Sequence, residues 1–80
     1  MPRFFFDIHD NEKNQRDEVG VVLANPDAAR IEAMKSLPAI AFDEIPRDGD
    51  RQTFVVLVTD AERKPVYSAT LSYAGIWLGH

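Results

Sequence analysis

An unbroken run of five large apolar residues, Phe-Val-Val-Leu-Val at positions 54–58, constrains the fold of this chain more than any other feature. Successive side chains of a β-strand point to opposite faces of a sheet, so this run places apolar groups on both faces. We therefore expect a central strand over residues 53–59. Because the chain has only 80 residues, a second core would be too small, and we expect one domain over residues 1–80.

Composition excludes several function classes. Hydrophobic residues make up 45% of the chain and charged residues 28%, which is typical of a globular domain. Nine Lys and Arg against thirteen Asp and Glu leave a net charge of −4, which argues against binding to nucleic acid or to an anionic membrane surface. The chain has no cysteine, so disulfides, thiolate nucleophiles and cysteine zinc sites are excluded.

Three further strands are predicted around the central one. Residues 3–9 are rich in aromatic side chains, residues 20–23 form a short apolar run, and residues 66–71 contain Val, Tyr and Thr. Residues 10–18 are polar, with alternating charges, and are predicted to be an exposed connection between the first two strands.

A helix is predicted to begin at the sequence Asn25-Pro26-Asp27. Asn is a favoured N-cap, Pro is tolerated in the first helical turn, and an aspartate is stabilised at the positive end of the helix dipole. The helix should extend to about Glu44 and end before Pro46. Its N-terminus is the clearest local signal in the chain.

Pro38 lies inside this predicted helix and removes the hydrogen bond to the carbonyl of Met34. We therefore expect a kink near Met34, or two helical pieces. Large and small apolar residues recur at spacings of three and four, which indicates one buried stripe. The predicted stripe consists of Ile31, Met34, Leu37, Ile40, Ala41 and Ile45.

The element order β-β-α-β-β predicts an α+β fold. With the first and third predicted strands at the centre, chain direction leads to a four-stranded antiparallel sheet in the spatial order 2-1-3-4. One kinked helix is expected to cover the face of the sheet that carries Phe4, Phe6 and Ile8.

Several short motifs lie at characteristic places along the chain: the opening Met-Pro-Arg-Phe-Phe-Phe-Asp-Ile, then Asp17, Glu18 and Gly20, an Ala-rich helix from Asp27, Thr59-Asp60, and Pro65-Val66. In these residues most of the chain, from Met1 to about Leu71, resembles a family of small uncharacterised alphaproteobacterial proteins. The resemblance implies a shared fold and a bacterial origin, and it implies no activity. Members usually carry a glycine two residues before the proline that opens the last strand, where this chain has Arg63, which argues against a left-handed turn there.

No pattern of residues predicts catalysis or a resident cofactor. The serines lie in no Gly-x-Ser-x-Gly motif, and the four glycines form no phosphate-binding loop. Asp7 and His9 share one face of the first strand, but two ligands do not make a metal site. We expect no catalytic, metal-binding or cofactor-binding residues, and we expect that the protein is not an enzyme.

One helix covers one face of the sheet, so the other face needs an explanation. Phe5 lies on that face, joined either by Val55 and Leu57 or by the alternate set of the central strand, and the sequence leaves this choice open. Contiguous apolar patches on soluble proteins usually mark an interface. The predicted interface consists of Phe5, Val55, Leu57, Tyr73, Ile76 and Trp77.

Residues 72–80 form a tail with two competing interpretations. In the first, the tail folds back across the open sheet face. In the second, the open face, with or without the tail, forms a homodimer or receives another protein. The chain is therefore predicted to be a non-catalytic interaction module that self-associates through an apolar sheet face. The alternative is a small-ligand or accessory domain with a site between helix and sheet.

The location of the protein is predicted to be the cytoplasm. The apolar run at residues 4–6 is shorter than the roughly 7–15 residues of a signal peptide, and no stretch approaches the roughly 18 apolar residues of a membrane helix.

Overall fold

The central strand of the sheet is the apolar run that the sequence places there. The computed structural model of the chain describes residues 2–10 and 13–79. In chain order its elements are β1 (Arg3–His9), β2 (Asn14–Gln15), β3 (Val21–Val22), α1 (Pro26–Asp48), β4 (Arg51–Thr59) and β5 (Pro65–Ala74).

The strands form an antiparallel sheet in the order β2-β1-β4-β5, and β3 also pairs with β1. The predicted α+β class is confirmed. The predicted order 2-1-3-4 corresponds to β3, β1, β4 and β5, but the sheet has five strands rather than four. The extra strand, β2, comes from the predicted exposed connection, where Asn14 and Gln15 pair with His9 and Ile8. Asn11 and Glu12 of that connection lie outside the described residues.

The buried face of β4 is the one that carries Phe54, Val56 and Val58, each fully buried. Val55 and Leu57 point to the opposite face and are half-buried. This settles the choice that the alternating pattern left open, because an apolar run alone does not show which set faces the helix. The core is completed by Phe4 from β1 and by Ala29, Ala33, Leu37 and Ala41 from α1.

The helix begins where the sequence predicts. The side chain of Asn25 accepts a hydrogen bond from the N–H of Ala28 at 2.9 Å, which caps the first turn. Its predicted end is wrong, because α1 continues through both Pro38 and Pro46 to Asp48 as one helix. The carbonyls that lose a donor belong to residues 34 and 42, on the exposed side, where water can satisfy them.

A row of small residues, rather than the predicted large ones, forms the buried side of α1. Ala29, Ala33, Leu37 and Ala41 are spaced by four and are buried. Ile31 and Met34, predicted to be in the core, are 42% and 48% exposed. Alanines allow the helix to approach the sheet closely, and Phe4 and Phe54 fill the space beneath it. The other predicted stripe residues, Leu37, Ile40, Ala41 and Ile45, do pack in or against the core.

The helix packs mainly on β4 and β5. It therefore lies towards one side of the sheet, and one of its flanks overlooks the outer edge of β5. This offset determines which surfaces remain open.

The predicted tail is shorter than expected, because Ser72 and its two successors pair with β4 as part of β5. Gly75 then donates its N–H to the carbonyl of Asp50 at 2.7 Å. Beyond it the large side chains are exposed, Trp77 by 75% and Leu78 by 84%, so the described part of the tail does not cover the sheet. His80 lies outside the described residues.

Candidate interaction site

The outer edge of β5 is the first candidate. β5 has ten residues and hydrogen-bonds to β4 on one side, and within residues 2–10 and 13–79 no strand pairs with its other side. Residues 66–74, Val-Tyr-Ser-Ala-Thr-Leu-Ser-Tyr-Ala, contain neither a charged residue nor a proline. Natural edge strands are usually protected by lysine, proline, a bulge or short length. The irregularity at Val58/Thr59 lies only at the beginning of β5, so most of this edge is unprotected.

An apolar groove runs beside this edge, between the second half of α1 and β5. Its volume is about 560 Å³. Phe42 stands at its rim with 81% of its surface exposed. Such an exposed aromatic next to an apolar depression is typical of an interaction surface rather than of a solvated helix. The groove is lined by Pro38, Ala41, Phe42, Ile45, Pro46 and Leu71.

Four exposed apolar residues of α1 form one row. Met34, Pro38, Phe42 and Pro46 are spaced by four, so they lie one above another on the helix surface. This row, which we name the edge row, is one residue further along the chain than the buried row. Pro38, Phe42 and Pro46 line the groove together with Leu71 of β5, so this half of the edge row faces the β5 edge.

The interface residues predicted from sequence lie on two different surfaces. Tyr73, Ile76 and Trp77 are exposed at the end of β5 or just beyond it. Phe5 and Leu57 are half-buried on the sheet face opposite the helix, together with Val55. The fold therefore does not bring the six residues into one patch. Phe42 was missed, although its place in an i, i+4 row of apolar residues and prolines was a signal in the sequence.

The open sheet face is not the continuous apolar surface that was expected. It contains Val55 and Leu57 from β4, but β1 contributes Asp7 and His9 opposite them. On the other side, residues 68, 70 and 72 of β5 are Ser, Thr and Ser. The expectation is wrong because the apolar run of β4 is flanked on this face by Asp7 and His9 of β1 and by hydroxyl side chains of β5.

Arg63 covers much of the aromatic surface on this face. Its guanidinium carbon lies 3.7 Å from the centroid of the Phe5 ring, its Nη1 is 3.7 Å from Oδ1 of Asp7, and its Nη2 donates to the carbonyl of Asp17 at 2.9 Å. Arg63 also adopts φ 65°, so the inference that this arginine argues against a left-handed turn is wrong. The contacts of the guanidinium offset a conformational cost of about 1 kcal/mol.

Asp17 ties the loop before β3 to β1. Its carboxylate accepts hydrogen bonds from the N–H groups of Phe6, Val19 and Gly20 at 2.9–3.1 Å, and its own N–H donates to Asp7. Burial raises the pKa of Asp17, but these three donors and the charge of Arg63 together lower it below its ordinary value. The carboxylate is therefore held in its charged form by the fold.

Gly20 completes this loop. It has φ 76°, and a Cβ at this position would lie 2.9 Å from the carbonyl oxygen of Phe4. Both the positive φ and the close approach of the backbone require glycine. Asp17 and Gly20, which carry part of the family resemblance, thus have structural roles in this chain.

A second cavity lies between α1 and the β1–β2 end of the sheet, with a volume of about 590 Å³. Ile8 and Ile40 contribute its apolar lining. Burial, followed by a hydrogen bond to Asp10, raises the pKa of Glu44, and Arg47 opposes this shift. Its charged lining residues are Asp10, Lys13, Asp43, Glu44 and Arg47.

No cluster of three potential metal-ligating side chains is found in the part of the chain that the structure describes. His9 instead has its Nδ1 2.6 Å from Oδ1 of Asn14, and Asp7 accepts from the N–H of Asp17. No helix within the described ranges is long and apolar enough to cross a membrane.

A family model described as a domain of unknown function, DUF6894, covers residues 3–72, from the first residue of β1 into β5. No curated protein and no solved structure matches the chain.

Proposed function

The chain belongs to the DUF6894 family, whose description assigns no function, and we propose from its geometry that it is a non-catalytic protein-interaction module. It binds an extended partner segment along the open edge of β5. The observation that carries this proposal is the uncharged stretch of nine residues, 66–74, on a strand that is paired on one side.

Strand addition accounts for both affinity and selectivity at such an edge. The outward N–H and C=O groups of β5 hydrogen-bond to the main chain of the partner, and alternate partner side chains then point to the two sheet faces. On the helix side they meet Leu71 and Phe42 in the apolar groove. On the other side they meet the hydroxyl groups of Ser68 and Thr70. A partner segment that alternates apolar and small polar residues fits these surfaces.

The absence of a catalytic role is part of the same proposal. Asp17 and Arg63, which come together at the open face, already stabilise the fold. Asp17 accepts hydrogen bonds from three backbone N–H groups, and Arg63 contacts Phe5, Asp7 and the Asp17 carbonyl.

A cytoplasmic location and a bacterial origin also belong to the proposal. The location rests on the lack of cysteine, and the origin rests on the resemblance.

A small-ligand domain is the alternative function, and the cavity between α1 and the β1–β2 end of the sheet favours it. Its volume of about 590 Å³ lies within the range of ligand pockets, roughly 300–1,000 Å³. Thermal-shift screening with small metabolites tests this alternative, because a ligand that binds only the native state raises the Tm. Ile40→Trp, which fills the cavity, should abolish any such shift.

The edge proposal is tested with a fluorescent peptide of alternating threonine and valine, flanked by lysines, whose binding is followed by anisotropy. The variant Ser68→Lys/Thr70→Lys places two charges on the edge strand. We expect it to weaken binding about tenfold or more, equivalent to about 1.4 kcal/mol.

The matched control is Thr53→Lys, which adds a lysine on the same sheet face but on the interior strand β4. It should bind the peptide as the unmodified chain does. Absence of saturable binding to the unmodified chain, or equal loss in the control, would overturn the edge as the binding site.

A further inference from the structure

We infer that the segment bound by β5 is the β5 strand of a second copy, running antiparallel across a two-fold axis perpendicular to the sheet. This inference rests on the proposed function and names its partner. The joined sheet would be continuous through both copies, with both helices on one side.

The charge distribution is compatible with an identical copy at this edge. Each chain has a net charge of −4, so two copies repel each other over most orientations. Residues 66–74 contribute no charge, so the approach of one β5 edge to another adds no local repulsion. Antiparallel pairing of a strand with itself is also self-complementary, as a two-fold interface requires.

The position of α1 provides the second argument. Because the helix lies over β4 and β5, a two-fold axis at the β5 edge brings the edge rows of the two helices face to face. Met34 and Phe42, otherwise exposed on a solvated helix flank, would then be buried between the helices. The two-fold axis runs through the middle of the paired β5 strands. Leu71 lies near that middle and lines the groove beside Phe42, so Phe42 lies close to the axis.

The area available is close to what a stable dimer needs. Ten residues of extended strand span about 33 Å. The two shorter dimensions of the molecule are 21 and 18 Å. The surface formed by β5 and the edge row therefore measures roughly 20 Å in the direction perpendicular to the strand. The resulting footprint of about 660 Å² per copy approaches the roughly 800 Å² per partner of a standard interface.

Cysteine cross-linking tests the arrangement, because the natural chain has no cysteine and an introduced thiol reacts only with its copy. We expect Phe42→Cys to form a disulfide-linked dimer in high yield under mild oxidation. Val19→Cys is the matched control, since Val19 is equally accessible but lies beside β3 at the far edge of the sheet. It should remain largely monomeric. Equal yields from both variants would overturn the inferred axis.

Sedimentation velocity from low to high micromolar concentration completes the test. We expect a dimer for the unmodified chain and for Thr53→Lys, and a monomer for Ser68→Lys/Thr70→Lys. A strict monomer that still binds the threonine–valine peptide would overturn the second copy as partner and leave the edge function in place. A dimer that persists in Ser68→Lys/Thr70→Lys but is lost in Leu57→Asp would place the contact on the open sheet face and overturn this inference.

Discussion

Arg63 and Phe5 lie 58 positions apart in the chain, yet the guanidinium carbon of one sits 3.7 Å above the ring of the other. The contact joins the β4–β5 turn to β1 across the end of β4. Arg63 reaches it from a left-handed backbone conformation, φ 65°, which a residue with a side chain adopts only at a cost. An aromatic side chain on the open sheet face is thereby shielded by a cation rather than by another protein surface.

Two substitutions of Arg63 separate the energetic cost of its positive φ from the stabilisation that its side-chain contacts provide. Arg63→Gly loses the contacts to Phe5 and Asp17 but relieves the positive φ, whereas Arg63→Ala loses the same contacts and keeps the strain. We expect the alanine variant to be less stable than the glycine variant by about 1 kcal/mol. Urea unfolding of both variants measures this difference. Equal stability would show that the turn is not left-handed in solution.

Asp17 makes the free energy of unfolding depend on pH in the acidic range. Its folded pKa is lowered, so its contribution is present above the unfolded value of about 3.9 and is lost as the pH falls through the folded pKa. Asp17→Asn should therefore lower the free energy of unfolding by about 1–3 kcal/mol at pH 7, with the difference shrinking below about pH 4. Glu18→Gln, an exposed neighbouring change, is the control. A pH-independent difference would contradict this assignment.

Glu44 has the opposite effect on how stability depends on pH. Its folded pKa is raised by burial and by its hydrogen bond to Asp10, so the folded chain binds a proton more tightly than the unfolded one. Stability therefore falls as the pH rises through the window between the unfolded value of about 4.3 and the raised pKa. Glu44→Gln should raise the Tm at pH 7 and leave it unchanged at low pH. Glu32→Gln, on the same helix and beside Lys35, should produce no such gain.

The buried row of α1 is tested by two neighbouring substitutions to the same residue. Ala33 is fully buried, so Ala33→Leu forces a larger side chain against the sheet and should cost about 1–3 kcal/mol. Met34 is 48% exposed, so Met34→Leu should change stability by less than about 0.5 kcal/mol. Chemical denaturation compares the two directly. The reverse order would mean that the originally predicted stripe of large residues is the buried one.

Several elements of the fold followed from local patterns. Residues 54–58 became the centre of the interior strand β4, with Phe54, Val56 and Val58 fully buried, because an uninterrupted apolar run is stable only where neighbouring strands flank it. Asn25 became the helix N-cap because its side chain satisfies a free backbone donor whatever the helix later packs against. The same local signals overestimated the effect of Pro46, since a proline near the end of a helix costs little when the freed carbonyl faces water.

Other features depended on distant neighbours. Two apolar rows of α1 were compatible with the helical period, one of large residues and one mainly of alanine, and close approach to Phe4 and Phe54 decided between them. Likewise, the apolar character of β4 did not make its open face apolar, because β1 and β5 supply Asp7, His9 and serines beside it.

What the sequence determined by itself was the class of fold, the central strand and the beginning of the helix, since each depends on residues close together in the chain. The tertiary structure alone decided that Arg63 would cover Phe5 and that α1 would lie over β4 and β5. It also decided that an uncharged edge strand would remain open beside Phe42. Burial is a property of what surrounds a residue, and for these residues the surroundings come from other parts of the chain.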